Sequence, residues 1–220
     1  MSATATKPTP SRTPLFERIL CLRDHTAAGV EAVRLATALA GPSATIDLFT
    51  DGVPEHAPDH DLLVVPASER GLQLLSSSPA SVLLARTPSS PAEFPDSILA
   101  AVDGTAAASA AARVAAEIAA RHSAPVTLVA TPEHDASHQH ALQRDIEIVE
   151  RITGTRPLVL DEHRGPVASI LCAAAGVEAS LIVLGRRASA SSPSVSAQVA
   201  GAAGCSVLVV RAGGALSPRP

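Results

Sequence analysis

The sequence predicts an α/β fold made of two doubly wound parallel-sheet units in tandem. The first unit lacks the section that would hold its second helix, third strand and third helix. Two observations lead to this prediction. Short aliphatic runs alternate with Ala-rich stretches of helical length along the 220 residues, which is typical of a parallel sheet covered by helices on both faces. The order of these elements in the first half also recurs in the second half.

The repeat starts at the first predicted strand of each half. The segment ILCLRDHTAA, from Ile19, matches ILAAVDGTAA, from Ile98. Each match is followed by a predicted helix and then a predicted strand, over 27–40 and 44–50 in the first half and over 106–120 and 126–130 in the second. Two further pairs of predicted strands match later in the chain, 61–65 with 180–184 and 81–86 with 206–211. We therefore expect an internal duplication.

The two halves differ in their middle sections. The first half has 20 residues between the end of its first predicted helix, at residue 40, and the strand that starts at residue 61. The second half has 59 residues between the corresponding positions, 120 and 180. The longer insertion predicts a helix over 136–154, a strand over 157–160 and an Ala-rich helix that Pro166 opens and Gly176 closes. The first half has only the loop 51–60 between its second and third strands. A parallel crossover this short must be nearly extended.

The boundaries give five segments: a disordered tail over 1–14, a shortened unit over 15–86, a Pro/Ser linker over 87–95, a complete unit over 96–213 and a tail over 214–220. The first residues contain no apolar core of a secretory signal. The three cysteines have no CxxC spacing and are expected to be buried, inert thiols: Cys21, Cys172 and Cys205. We therefore expect a cytoplasmic protein.

Composition excludes several kinds of partner. Hydrophobic residues make up 46% of the chain and aromatic residues only 1%, so the stacking platforms of single-strand nucleic-acid binders are missing. The net charge of −4 offers no general attraction to nucleic acid or anionic lipid. No apolar run approaches the ~18 residues of a membrane span. Neither nucleic acid nor a membrane is expected as a partner.

The second half resembles the universal stress protein family. Four segments carry the resemblance: ILAAVDGT from Ile98, LIVLGRR from Leu181, SVS from Ser194 and CSVLVVR from Cys205. The first half resembles a degenerate, shortened copy, so the whole chain is similar to a tandem universal stress protein. The resemblance implies a Rossmann-like sheet of strand order 3-2-1-4-5 in the complete unit. It also implies that the last strands of the two units, 80–86 and 205–211, pair within the chain.

Family members that bind ATP carry the signature Gly-x2-Gly-x9-Gly-Ser/Thr after the fourth strand. Its glycines let the backbone approach phosphate, and the following helix offers free N–H groups. The resemblance also implies that the first-strand aspartate contacts the nucleoside. On this chain the implied nucleotide-binding residues are Asp103, Gly185, Arg187, Ser194, Val195 and Ser196.

The signature is incomplete here. Ala188 replaces the second glycine, Pro193 replaces the third, and only the four residues 189–192 lie between them. Because proline has no N–H and adds a ring to the backbone, we expect phosphate binding to be weakened. Two arginines and five serines nevertheless keep the loop basic and rich in hydrogen-bond donors. Ser192 is a candidate N-cap of the following helix, and the start of a helix capped in this way could still bind an anion. The matching segment of the first unit, 66–71, predicts no nucleotide site.

A second recurrence involves histidines. The pattern Pro-Glu-His-x3-His occurs at 54–60 and again at 132–138. Histidines four residues apart can share a metal ion, so a zinc- or nickel-type site at His134, His138 and His140 is one interpretation. A solvated polar loop inherited by duplication is the alternative, and it is the one we favour.

The sequence contains no GxSxG, HExxH, GxxxxGK[ST] or CxxC motif. We therefore expect no catalytic residue and a non-catalytic binding or regulatory module of the stress response, as a monomer or homodimer. Two alternatives remain: an ATP-binding stress regulator that uses the second unit, and an enzyme of the nucleotide alpha-hydrolase superfamily. ATP is the candidate cofactor, and ATP or another nucleotide is the candidate small-molecule partner. The unpaired edge at 44–50 is the candidate contact for a protein partner.

Overall fold

A computed structural model describes residues 15–50, 59–88, 94–130, 136–161, 164–186 and 194–212. Strands and helices alternate along most of the chain. They are β1 (Arg18–Leu22), α1 (Ala27–Leu39), β2 (Thr45–Phe49), β3 (Leu62–Pro66), α2 (Glu69–Ser77), β4 (Ser81–Ala85), β5 (Ile98–Val102), α3 (Ala106–His122), β6 (Val126–Ala130), α4 (Ala136–Thr153), β7 (Leu158–Asp161), α5 (Pro166–Gly176), β8 (Leu181–Arg186), α6 (Val195–Ala202) and β9 (Ser206–Arg211).

The strands form one nine-stranded sheet in the order β2-β1-β3-β4-β9-β8-β5-β6-β7. Every neighbouring pair is parallel except β4 and β9. The predicted α/β class with a mostly parallel sheet is confirmed. Within the second half, the first strand lies at the centre, with the second and third on one side and the fourth and fifth on the other. The loop 51–58, which was expected to be extended, lies outside the described residues.

The two halves of the sheet meet at one antiparallel junction. Strand β4 pairs with β9 in the register Val82–Val209, Leu83–Leu208 and Leu84–Val207. A serine hydroxyl extends the pairing at each end, since Ser206 Oγ accepts from the N–H of Arg86 at 3.1 Å and Ser81 Oγ accepts from the N–H of Arg211 at 3.2 Å. These are the two segments that the resemblance expects to pair.

Helices cover both faces of the sheet. Side chains from α1, α3 and α4 pack into a core on one face, and side chains from α2, α5 and α6 pack into a core on the other. Helix α3 buries seven alanines, whose short side chains let its axis approach the sheet closely. The Ala-rich composition is therefore a requirement of this packing rather than a sign of low complexity.

The three cysteines do not share one environment. Burial raises the pKa of the Cys21 and Cys205 thiols to about 11 each. Cys21 is buried as expected, whereas Cys205 is half-buried. Cys172 is exposed, and the expectation that it is buried is wrong. On α5 the buried residues include Ile170 and Ala173, and the helical period turns Cys172 away from them.

None of the helices in the described part of the chain is both long and apolar enough to cross a membrane.

The β4–β9 junction predicts a large stability loss when its core is truncated. Leu83 and Leu208 are both fully buried and directly opposite each other. We expect Leu83→Ala and Leu208→Ala each to lower the free energy of unfolding by about 2–5 kcal/mol through lost burial and cavity formation. Urea denaturation measures this. Leu48→Ala on β2, where Leu48 is 54% exposed, is the control and should change stability by about 0.5 kcal/mol or less. Equal effects at the three positions would contradict the assignment.

Candidate functional site

The candidate site lies where the chain leaves the carboxyl ends of β5 and β8. These strands are parallel neighbours, so Asp103, which follows β5, and Gly185, near the end of β8, lie at the same edge of the sheet. Ser194 precedes α6, the crossover helix between β8 and β9, and therefore starts at that edge too. We call this the carboxyl edge. In doubly wound sheets ligands bind at such an edge.

Asp103 supports the start of α3. Its Oδ1 accepts from the N–H of Thr105 at 3.1 Å and from the Thr105 hydroxyl at 2.6 Å. The Thr105 Oγ1 in turn accepts from the N–H of Ala108 at 3.2 Å and caps the helix. Asp103 thus has a structural role in addition to its position at the edge.

The same arrangement occurs in the first half. Asp24 Oδ1 accepts from the N–H of Thr26 at 3.0 Å and from its hydroxyl at 2.5 Å. Thr26 Oγ1 then accepts from the N–H of Gly29 at 3.1 Å and caps α1. The hydroxyl hydrogen bond from Thr26 is the main reason that the pKa of Asp24 lies below its usual value. The two Asp-x-Thr turns are structural equivalents.

Gly185 is required by packing. A Cβ at this position would lie 2.3 Å from the carbonyl carbon and oxygen of Ala107 and 2.7 Å from the nitrogen of Ala108. No side chain fits there, because β8 runs directly against the first turn of α3. The glycine that the resemblance assigns to nucleotide binding therefore brings the Asp103 turn and the end of β8 together.

Helix α6 starts two residues later than the sequence suggested. Its N-cap is Ser194, whose Oγ accepts from the N–H of Ala197 at 3.2 Å, so the expectation that Ser192 caps this helix is wrong. Ser196 is buried, and its hydroxyl lies 2.9 Å from the Ser194 hydroxyl. Val195 is the first helical residue and is 37% exposed. Apart from the Ala197 N–H, which Ser194 caps, the N–H groups of this first turn have no acceptor within the helix and are suited to an anion.

Part of the predicted site falls outside the described residues. Arg187 belongs to the segment 187–193, together with Ala188, Ser192 and Pro193, and nothing is described there. The neighbouring Arg186 points to the first half of the chain. Its guanidinium donates to the carbonyl oxygens of Ser78, at 2.9 Å, and Ser76, at 2.5 Å. Arg186 holds the end of α2 and is not placed for phosphate binding.

The matching edge of the first half is closed. Only two residues connect β3 to α2, and Ser68 caps the helix by accepting from the N–H of Gly71 at 3.2 Å. A Cβ at Gly71 would lie 2.6 Å from the Pro66 carbonyl oxygen, so strand and helix are already in contact. Glu69 adds a negative charge to the first turn. This connection has no loop that could surround a phosphate.

The repeated histidines have separate structural roles. His60 Nε2 lies 2.8 Å from Asp47 Oδ2 on β2, and the His60 side chain is almost fully buried. His138 packs against Gly104, which has a φ of +76°, and a Cβ there would lie 3.2 Å from the imidazole ring. His134 lies outside the described residues. Within the described part of the chain, no group of three His, Cys, Asp or Glu residues could hold a metal ion.

The sequence interpretation missed Asp145 of α4, which is 0% exposed. His138, Ala141, Asp145, Val149 and Ile152 follow the helical spacing of three and four, so Asp145 occupies a position on the buried stripe. This spacing was the available signal. Burial raises the pKa of Asp145, and the charge of Asp103 acts in the same direction. A buried carboxyl group therefore lies near enough to Asp103 for the two charges to interact.

Two cavities lie elsewhere. One, of about 660 Å³, borders the start of β8 and β9 and includes Arg86 in its lining. The other, of about 870 Å³, lies beside the ends of α3 and α4 and includes Arg151 and Arg156. Among the predicted site residues that the structure describes, none lines either cavity. The candidate site therefore depends on the residue geometry of the carboxyl edge.

Comparison with known proteins finds one matching family and several similar structures. The model of the universal stress protein family matches residues 95–211. A universal stress protein from Archaeoglobus fulgidus DSM 4304 has a similar structure, with a TM-score of 0.69 and 12% identity over 88% of this chain and 96% of that chain. A functionally unknown protein from Pseudomonas aeruginosa PAO1 gives a TM-score of 0.67 and 16% identity over 90% and 93% of the two chains. No curated protein matches the sequence.

The packing at Gly185 leads to a prediction about stability without any ligand. We expect Gly185→Ala to lower the free energy of unfolding by about 1–3 kcal/mol, because the added methyl group overlaps the backbone of Ala107. Chemical denaturation of the ligand-free protein measures the change. Gly204→Ala, where a Cβ meets no atom within 4 Å, is the matched control and should leave stability nearly unchanged. A Gly185→Ala protein as stable as the control would show that this glycine is not needed for packing.

Proposed function

Because the chain belongs to the universal stress protein family, we propose that it is a tandem member with a shortened first copy, acting as a non-catalytic binding and regulatory module. In this proposal the second copy alone retains a nucleotide-contacting edge, with ATP as the candidate ligand and a weakened phosphate cradle. The observation that carries the proposal is the difference between the two sheet edges. Equivalent Asp-x-Thr turns lie beside a closed β3–α2 connection in the first half and beside the start of α6 in the second.

Several features support the tandem arrangement. Asp24 and Asp103 each accept two hydrogen bonds, one from the N–H and one from the hydroxyl of the threonine two residues later. The β4–β9 junction has one serine hydroxyl at each end, which is what two related strands in an antiparallel pair would present. The similar structure from Archaeoglobus fulgidus covers 88% of this chain and therefore includes both halves.

The chemistry of the carboxyl edge supports a nucleoside contact with weak phosphate binding. Asp103 lies at this edge, where the resemblance implies a contact with the nucleoside. The first turn of α6 offers N–H groups to an anion. Against tight binding, Arg186 is engaged with carbonyl oxygens of the first half, and Pro193 cannot donate an N–H.

The absence of catalysis is also a proposal. Asp103 accepts two hydrogen bonds from Thr105 and Asp145 is fully buried, so neither carboxyl group is placed as an accessible general base. An enzyme of the nucleotide alpha-hydrolase superfamily would cleave ATP between its α- and β-phosphates, releasing pyrophosphate and passing the adenylyl group to a substrate or to water. Incubation with ATP followed by chromatography for AMP and pyrophosphate tests this. The three free cysteines accord with a cytoplasmic location, and closure of the sheet at β4–β9 accords with a monomer.

A direct test uses the absorbance of the purified protein. The chain contains no Trp and no Tyr, so a co-purified nucleotide dominates the spectrum near 260 nm and can be identified by mass. We expect either such a nucleotide or a thermal shift with excess ATP and magnesium, since a ligand raises stability by RT ln(1 + [L]/Kd). A clean spectrum together with no thermal shift would exclude ATP as the ligand.

The equivalent aspartates provide a matched pair of variants. We expect Asp103→Asn to weaken ATP binding by about tenfold, because a charged acceptor at the edge is lost. Asp24→Asn changes the same kind of turn in the first half and should leave ATP affinity unchanged. In both variants the amide oxygen can still accept from the neighbouring threonine. Calorimetric titration with ATP measures the affinities, and an equal effect of the two substitutions would contradict a site confined to the second copy.

A further inference from the structure

Asp145 is the most unusual polar residue in the described core. It lies on the buried stripe of α4 and is 0% exposed. Neither carboxyl oxygen has a partner at hydrogen-bonding distance, although the Ser109 hydroxyl on α3 is near enough to favour the charged form. Buried carboxylates are normally paired or hydrogen-bonded. In the described structure only the Ser109 hydroxyl acts on these oxygens as a donor, so stability does not account for an Asp at this position.

The charged groups near Asp145 have opposing effects. Asp103, from the end of β5, disfavours the ionised form, whereas Arg144 on the same helix favours it. His138 lies two turns earlier on the same face of α4. Two other charged residues on neighbouring elements, Arg113 of α3 and Asp161 of β7, are exposed. Glu117 of α3 lines the cavity at the other end of that helix, and β6 contains no charged residue. Burial is the largest effect and favours the protonated form.

Helix α4 connects this carboxyl group to the carboxyl edge. His138 packs against Gly104, between Asp103 and Thr105. A Cβ added at Gly104 would also lie 3.5 Å from the Cβ of Ala141, one turn before Asp145. The face of α4 that holds Asp145 is therefore the face that supports the Asp103 turn. A charge on Asp145 acts on the same small region in which a ligand would bind.

We propose that Asp145 is a positioning residue that couples proton uptake to the binding of an anionic ligand at the carboxyl edge. When Asp145 is ionised, it adds a second negative charge beneath Asp103 and repels phosphate. When Asp145 takes up a proton, that repulsion is removed, and a bound anion in turn favours the protonated form by linkage. The inference rests on the proposed nucleotide site and adds a dependence on pH that the site residues alone do not give.

The test compares Asp145→Asn with the wild type, using ATP with magnesium as the probe. Calorimetry from about pH 5 to about pH 8 gives both dissociation constants at each pH, and protonation of ATP itself cancels in their ratio. We expect the variant to bind about three- to tenfold more tightly at the upper end. We expect the ratio to approach one as the pH falls, because the wild-type carboxyl is then neutral like the amide. Glu147→Gln removes an exposed charge from the same helix and should give a ratio near one throughout.

The outcomes distinguish the inference from the function. If both proteins bind ATP with a ratio that does not change with pH, or if Glu147→Gln has the same effect, the coupling is wrong and the nucleotide site stands. If neither protein binds ATP at any pH, the nucleotide site is wrong and the coupling falls with it.

A ligand-free measurement checks that Asp145 takes up a proton in the folded state. The raised pKa means that the folded protein holds this proton more tightly than the unfolded chain. The resulting stabilisation is present below the ordinary Asp pKa and is lost as the pH rises through the raised value. Asp145→Asn should therefore raise the melting temperature at neutral pH, and the gain should shrink in acid. A gain that is absent or independent of pH overturns the inference.

Discussion

The antiparallel pairing of β4 with β9 is the contact on which the rest of the structure depends. Without it the chain would contain a four-stranded and a five-stranded sheet, each with an additional exposed edge. An unpaired edge strand presents a row of free N–H and C=O groups and invites association. Pairing the two last strands inside one chain satisfies those groups. It leaves β2 and β7 as the edges of the sheet, and both are short and less buried than the central strands.

The junction also relates the two halves chemically. Arg186, the last residue of β8, donates to carbonyl oxygens at the end of α2. Arg86, which follows β4, donates to the Ala200 carbonyl at 2.6 Å near the end of α6. Each arginine thus stabilises a helix C-terminus of the other half, where a positive charge is favourable. One consequence is that the Arg186 guanidinium, which could have bound a phosphate, instead links the two halves of the chain.

The fold was predictable because its signals are local. Aliphatic runs such as 62–66 and 181–184 are buried central strands, and Pro166 begins α5 as the sequence indicated. Asp24 and Asp103 occupy the same place in the matched segments ILCLRDHTAA and ILAAVDGTAA, so the repeat in the sequence placed them equivalently. Such features depend on hydrophobic period and capping chemistry, both of which operate over a few residues.

The site was less predictable because its properties come from contacts between distant segments. The need for Gly185 arises from the first turn of α3, some 80 residues away, and the orientation of Arg186 arises from the first half. The sequence predicted Ser192 as the N-cap of α6, whereas Ser194 caps the helix. The exact start of α6 depends on how the helix packs against β8 and β9. Asp145 carried a readable signal in its helical spacing, yet spacing alone shows burial and not the proximity of Asp103.

The relation between the two halves explains why a polar core position would persist in only one of them. No helix lies between β2 and β3 in the described part of the first half, so α4 has no counterpart there, and the edge of this half is closed by the β3–α2 connection. A buried carboxyl group costs stability wherever it is ionised. In the second half that cost coincides with the carboxyl edge at which we propose that a ligand binds. A group whose charge depends on its surroundings is useful only where those surroundings can change. The first half supplies the partner strand of β9, and the second half holds the carboxyl edge at which we propose that a ligand binds.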